Sequence, residues 1–190
     1  MKWMIASDIH GSSLCCGKML ESFRREKADR LLLLGDLLYH GPRNDLPEGY
    51  APKEVFAQLN GVKEAVFCVR GNCEAEVDQM VLEFPVLADY CLLELAGACS
   101  RPRLIFATHG HVHHLSNPPM LKAGDILLHG HTHVPAKEKA PAGFWYLNPG
   151  SVSIPKENSP HSYMTLENGV FLWKDLSGRE YDRLETACEE

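Results

Sequence analysis

Five times between residues 3 and 133 a short apolar run stops at an acidic, amide or imidazole side chain set beside glycine or in a tight turn. The stops read SDIHG, LGDL, RGNCE, ATHGH and HGHTHVP, and they carry Asp8, His10, Asp36, Asn72, His109, His131 and His133. Strand ends are where open α/β sheets build their sites, and glycine lets the backbone bend so that side chains from distant strands converge. Taken singly, an Asp or Asn beside Gly is a turn residue and a His after a strand is a satisfied polar group. Seven ligand-type side chains at five strand ends are too many for turn chemistry to account for.

The runs themselves suggest how the chain is organised. Lys2 to Ser7 and Arg30 to Gly35 flank a stretch from Ser12 to Ala28 in which Leu14, Met19, Leu20 and Phe23 recur at helical spacing, with Ser12 or Ser13 available as a cap. That is a βαβ pattern. A loop rich in proline and glycine, HGPRNDLPEGYAP, leads to a helix near Lys53 to Leu59 and a third strand from Ala65 to Arg70. After about residue 88 strands follow one another more closely, as YCLLELA, RLIFATH, DILLHG, FWYLNPG, SYMTLE and VFLWKD, which argues for a second sheet. With no linker or repeat, residues 1–190 are expected to form one domain with two sheets packed face to face. The tail from Ser177 is expected to be a surface helix or a frayed end.

Composition excludes some classes of function. A net charge of −6 lacks the basic excess of a nucleic-acid binder. The apolar start is too short for a signal peptide or a membrane span, so a cytoplasmic location is expected, with no membrane partner. Seven cysteines without CxxC spacing argue for reduced thiols, most of them small core residues.

Read in order, DIH, GD, GNCE, HGH and GHTH resemble the motif run of the calcineurin-like metallophosphoesterases. The cysteine in the third block, with HGPRND, LPEGYAP, EVDQM and NPGSVSIP, looks closer still to the bacterial YfcE-type phosphodiesterases of that family. The resemblance implies a four-layer αββα sandwich, two facing mixed β-sheets flanked by helices, with a dinuclear metal centre at one edge. It also implies that Asp8, His10, Asp36 and His133 hold one divalent ion and Asp36, Asn72, His109 and His131 the second, with Asp36 as the bridge. A carboxylate can span two metals about 3.5–4 Å apart, and a water between them can lose its proton near pH 7. The expected reaction is hydrolysis of a small-molecule phosphodiester by a metal-bridging hydroxide. A ligand set without thiolate suits Mn²⁺, taken first from the resemblance, or Fe²⁺, Zn²⁺ or Mg²⁺.

Other readings compete. THGHVHH resembles the zinc motif of metallo-β-lactamase-type hydrolases with His113 in place of its aspartate, but that leaves Asp8, His10, Asp36 and Asn72 unexplained. His111 is expected beside the ligands or against phosphate, and His113 and His114 in a solvated loop. A catalytically weak scaffold acting through protein contacts, like the retromer subunit Vps29, and a phosphomonoesterase are the alternative functions. Cys73 stands where many relatives carry a histidine that protonates the leaving group, and it is read as filling that slot without acting as a general acid. Arg43 and Asn44 are candidate phosphate contacts, since a guanidinium binds phosphate oxygens in pairs. Asn148 is read as a turn residue near the site, Cys15 and Cys16 as packing. Edge strands in the second sheet make a homo-oligomer plausible.

Overall fold

The computed structural model describes residues 1–95 and 102–186. Strands β1 (Trp3–Ala6), β2 (Arg30–Leu33) and β3 (Val66–Cys68) run parallel. Helices α1 (Ser13–Glu26) and α2 (Pro52–Asn60) fill the crossovers between them. Ser12 caps α1 by accepting a hydrogen bond from the Cys15 amide at 3.2 Å, and Lys27 ends it in the left-handed region at φ 50°. The buried face of α1 is Cys15, Cys16, Met19 and Leu20, whereas Leu14 lies exposed one step off that face.

β2 explains the apolar run RLLLLG. Leu31 and Leu33 pack toward the helices, while Leu32 and Leu34 face the other sheet, and none of the four retains exposure. A strand buried on both faces has no polar side to show. Emptying any one of these sites to alanine costs about 2–5 kcal/mol.

A one-turn helix α3 (Glu76–Gln79) precedes the second sheet. That sheet contains β4 (Tyr90–Leu95), β5 (Arg103–Thr108), β6 (Ile126–Leu128), β7 (Ala136–Lys139) and β8 (Trp145–Asn148), in the order β4-β5-β6-β8-β7. Antiparallel strands β9 (Ser162–Glu167), β10 (Val170–Asp175) and β11 (Glu180–Glu185) complete the first sheet as β11-β10-β9-β1-β2-β3. Ile5, Leu32, Ile105, Ile126, Met164 and Trp173 form the dry layer between the sheets. The Trp173 indole N–H donates to the Asn148 carbonyl across it at 2.7 Å. Outside the second sheet, Phe106, Phe144 and Tyr146 are covered by Leu115 and Leu121 from the loop 110–123.

The tail corrects the sequence expectation of a surface helix or frayed end. Residues 180–185 form an edge strand in which Asp182 and Leu184 are half-buried and their neighbours exposed, and they pair with β10. β7, AKEK, is the other strand that the apolar pattern does not announce. Its charges suit a sheet edge, where lysine discourages pairing with another chain. Cysteines 99 and 188 lie outside the described residues; the other five are free thiols.

Candidate metal centre

All seven ligand-type residues of the sequence pattern lie just beyond the C-terminal ends of parallel strands. Asp8 and His10 follow β1, Asp36 follows β2 and Asn72 follows β3; His109 follows β5, and His131 and His133 follow β6. Because β1-β2-β3 and β5-β6 are parallel within their own sheets, each set of ends opens on one side. Five of the seven adopt left-handed backbone: Asp8 (φ 60°), His10 (48°), Asp36 (56°), His131 (66°) and His133 (63°). Non-glycine residues in that region cost about 1–3 kcal/mol each and cluster where side chains must be aimed.

The aim is inward and the atoms that meet are lone pairs. His10 Nδ1 donates to the Tyr39 carbonyl at 2.8 Å and His133 Nδ1 to the Ile154 carbonyl at 2.7 Å. A carbonyl can only accept, so both neutral rings carry their lone pair on Nε2, and the two Nε2 atoms face each other at 3.2 Å. His109 repeats the arrangement: Nδ1 donates to the Leu34 carbonyl at 2.7 Å. Its Nε2 then faces Asn72 Oδ1 at 3.0 Å and His131 Nδ1 at 3.1 Å.

Carboxylates complete the set. Asp8 Oδ1 is buried without a hydrogen-bond partner and lies 3.3 Å from His133 Nε2 and 3.6 Å from His10 Nε2. Asp36 Oδ2 lies 3.7 Å from His10 Nε2 and 3.4 Å from His109 Nε2, so one oxygen reaches both halves of the cluster. Asp8, His10 and His133 form one group able to hold a cation, and Asp36, His109 and His131 form another. Carboxylate oxygens and imidazole nitrogens converging in this way are the ligand set a hard or borderline divalent ion requires. Without a cation a proton must mediate. Burial opposes charge on His109, yet its hydrogen bond to Asp36 and the fields of Asp8 and Asp36 raise its pKa to about 9. Burial and the neighbouring His109 instead lower His131 to about 4.

Buried residues that the sequence left in the background hold this array. Glu74 of GNCE accepts three backbone N–H bonds, from Asp36 at 2.8 Å, Leu37 at 2.7 Å and Gly71 at 2.5 Å, tying the β2 and β3 turns together. Burial and the Asp36 charge push its pKa up to about 7 against those bonds. Gly71 is obligatory because a Cβ there would overlap Asp36 Oδ1 and reach 2.7 Å from Glu74 Oε2. Ser151 and Ser153 hydroxyls donate to the Asp8 carbonyl at 2.9 and 3.1 Å. Asn148 is more than a turn residue: its Nδ2 donates to the Gly130 carbonyl at 2.8 Å and to Thr132 Oγ1 at 3.0 Å, bracing the GHTH turn.

The remaining candidates divide. His111 flanks the cluster, its ring centroid 5.5 Å from that of His109. Cys73 sits at the rim: its amide donates to Asp36 Oδ1 at 2.9 Å, and Asn72 Nδ2 lies 3.3 Å from its sulfur. Its Sγ also falls in a third cation-capable group with His10 and Asp36. Burial and then the Asp36 charge raise the thiol pKa far above its usual range. Arg43 is exposed, and Asn44 spends its Nδ2 on the His40 carbonyl at 2.8 Å, closing its own loop. His113 packs edge-on against Phe106 at 5.4 Å, and His114 pairs by backbone with Asn117.

The chain resembles known proteins in sequence and in fold. Residues 1–169 match the calcineurin-like phosphoesterase superfamily domain. The chain is 49% identical over 172 residues to Phosphodiesterase YfcE of Escherichia coli strain K12, covering 90% of this chain and 89% of that protein. The solved structure of YfcE, a phosphoesterase from E. coli, superposes with a TM-score of 0.91 at 44% identity, over 98% of this chain and all of that one. Vps29 of Chaetomium thermophilum shares the fold at a TM-score of 0.58 and 12% identity, covering 97% of each chain.

Proposed function

The chain belongs to the calcineurin-like phosphoesterase superfamily, and from that premise we infer that it is a metal-dependent phosphodiesterase acting on a small-molecule phosphoester. The observation that carries the reading is the convergence of His10 Nε2 and His109 Nε2 on one oxygen of Asp36, with Asn72 Oδ1 and His131 Nδ1 beside them. Asp8, His10, Asp36 and His133 would hold one divalent ion; Asp36, Asn72, His109 and His131 would hold the other. When bound, the pair would supply Lewis-acid polarisation of the phosphoryl oxygens and a nucleophile from water near neutral pH.

The chain's own residues do the positioning. Backbone carbonyls of Tyr39, Ile154 and Leu34 fix the tautomers of His10, His133 and His109, so that each presents Nε2 inward. The Cys73 amide holds Asp36 Oδ1 and leaves Oδ2 facing both histidines. Asn72 and His131 are the members least buried, which puts the approach of substrate on their side. Arg43, exposed on the loop that carries His40, is a candidate phosphate contact; Asn44 shapes that loop.

Manganese is our first choice of metal from the family resemblance; a mixed nitrogen and oxygen set without thiolate suits Fe²⁺, Zn²⁺ or Mg²⁺ as well. No described helix is long and apolar enough to cross a membrane. A cytoplasmic site of action and association into a homo-oligomer complete the proposal; the exposed Tyr90 and Leu92 on edge strand β4 favour the second.

The test is to strip the protein with a chelator, reload it separately with Mn²⁺, Fe²⁺, Zn²⁺ or Mg²⁺, and assay bis(4-nitrophenyl) phosphate beside 4-nitrophenyl phosphate. We expect activity to vanish on stripping, to return most fully with Mn²⁺, and to favour the diester. Stoichiometric metal binding with no cleavage of either ester would establish the scaffold role instead.

A further inference from the structure

A cavity of about 400 Å³ adjoins the metal centre on the side of the second sheet. His131 belongs to both, so a molecule whose phosphorus sits at Asp36 has this space within reach of one substituent. Leu115 and the Tyr146 ring give it apolar surface, and Ser116, Thr132 and His129 give it polar surface. Its other polar groups are imidazoles, those of His111, His114 and His131, and no Asp, Glu, Lys or Arg lines it. Its size and mixed lining are those of a small-molecule site.

Two lining residues, His129 and Tyr146, are held from several sides, and one His129 atom lacks a partner. His129 stacks on Tyr146 with ring centroids 4.4 Å apart and planes 25° from parallel. Gly110, at φ +113°, leaves the space where a Cβ would stand 2.5 Å from His129 Nδ1. Asn148 Nδ2 lies 3.0 Å from both Tyr146 Oη and Thr132 Oγ1, fixing the other side. His129 Nδ1 donates to the Gly130 carbonyl at 3.0 Å, which leaves Nε2 as an acceptor. That Nε2 is buried and nothing bonds to it. A buried acceptor left unpaired is costly, so a group able to donate to it has a built-in advantage.

We propose that this cavity receives one organic arm of the phosphodiester and selects a flat, partly apolar group carrying an N–H or O–H donor for His129. The selection rests on the reaction proposed above, since it places phosphorus at the metal centre. A site built around a hydrogen bond discriminates strongly against analogues that lack the donor.

Phosphonates that are not cleaved separate binding from turnover. Calorimetry on the Mn²⁺-loaded protein with methylphosphonate, phenylphosphonate and the aminophenylphosphonates should give phenyl about tenfold tighter than methyl, and at least one aminophenyl isomer about tenfold tighter again. Leu115→Trp, which fills the cavity, should bring the phenyl to methyl ratio near one. His129→Phe should abolish the aminophenyl advantage while the phenyl preference persists. Equal affinity for methyl and phenyl in the wild type, or an unchanged ratio in Leu115→Trp, overturns the cavity as a substituent site. An aminophenyl series no tighter than phenyl overturns the donor preference. The expected pattern without cleavage of any diester would uphold the cavity and overturn the reaction; cleavage without the pattern would do the reverse.

Discussion

The Nε2 atoms of His10 and His133 stand 3.2 Å apart, and each ring has committed its Nδ1 proton to a backbone carbonyl. Two lone pairs in that relation repel unless a cation joins them, which makes the pair a metal clamp in waiting. His133→Ala should therefore lose metal, and so should His131→Ala from the other half of the cluster. His113→Ala and His114→Ala should keep the full complement, because one packs on Phe106 and the other is held by its backbone. Metal analysis of the four proteins decides, and loss of metal from His113→Ala would revive the β-lactamase-like motif.

Asp36 carries a second prediction. One of its oxygens faces histidines from both halves of the centre, and the other is held by the Cys73 amide. Asp36→Asn removes the charge that would offset two dications and puts N–H donors where an acceptor is needed. Activity should fall by about 10²–10³-fold or more, the scale on which a single preorganised electrostatic partner matters. A variant with near wild-type rate and two bound metals would dismiss Asp36 as the bridge.

Glu74 acts through others. Its two oxygens collect three backbone N–H groups from the two turns that present Asp36 and Asn72. Glu74→Gln turns one acceptor into a donor facing a donor, which costs about 1–3 kcal/mol in a buried site. Metal affinity should weaken about 10–100-fold, as it does when supports of ligands are removed. Titration of metal into the stripped variant measures this directly, and unchanged affinity would reduce Glu74 to a folding element.

A pH dependence follows from Glu26, far from the centre. Burial alone would raise its pKa, but hydrogen bonds from Lys174 at 2.8 Å, Lys2 at 2.7 Å and Tyr163 at 2.8 Å bring it down to about 2. A carboxyl whose folded pKa is lowered stabilises the fold above its unfolded value. That contribution is lost as pH falls from about 4.5 toward 2. Glu26→Gln should lower stability at pH 7 by about 1 kcal/mol after allowance for solvent screening, or about 2–4 °C in Tm. Thermal melts of the two proteins should converge as pH drops through that window; a constant gap would assign the effect to packing.

What the sequence disclosed and what it withheld have different physical origins. Asp8, His10, Asp36, Asn72, His109, His131 and His133 are legible because each ends an apolar run, a local pattern. Glu74, Ser151, Ser153 and Asn148 act through hydrogen bonds to residues distant along the chain or to backbone atoms, and no local spacing encodes those partners. His129 was hidden by its neighbours, reading as the end of DILLH rather than as the stacked partner of Tyr146. β7 and β11 were missed because edge strands carry charge where central strands carry leucine.

Cys73 bears the last prediction, since the family resemblance puts it in the slot of a leaving-group acid. Its sulfur lies at the rim of the centre beside Asn72, and even a Cβ at Gly41 would stand at an ordinary contact distance of 3.5 Å from it. Burial and then the Asp36 charge raise the thiol's pKa, and a short thiol is a weak hydrogen-bond donor. Without an effective general acid, hydrolysis should depend on the leaving group's own stability as an anion. General acid catalysis is worth about 10²–10⁴-fold, mostly for leaving groups that cannot depart unprotonated. Cys73→Ser should retain both metals and much of the activity on nitrophenyl diesters. Cys73→His should raise the rate on alkyl leaving groups more than on nitrophenyl ones, the open Gly41 leaving room for the ring. Rates for the three proteins on a series of diesters graded by leaving-group pKa give the answer as a slope, shallower for the histidine variant. Abolition of nitrophenyl-diester hydrolysis in Cys73→Ser, with both metals bound, would show that the thiol takes part in the chemistry and that its place in GNCE is catalytic.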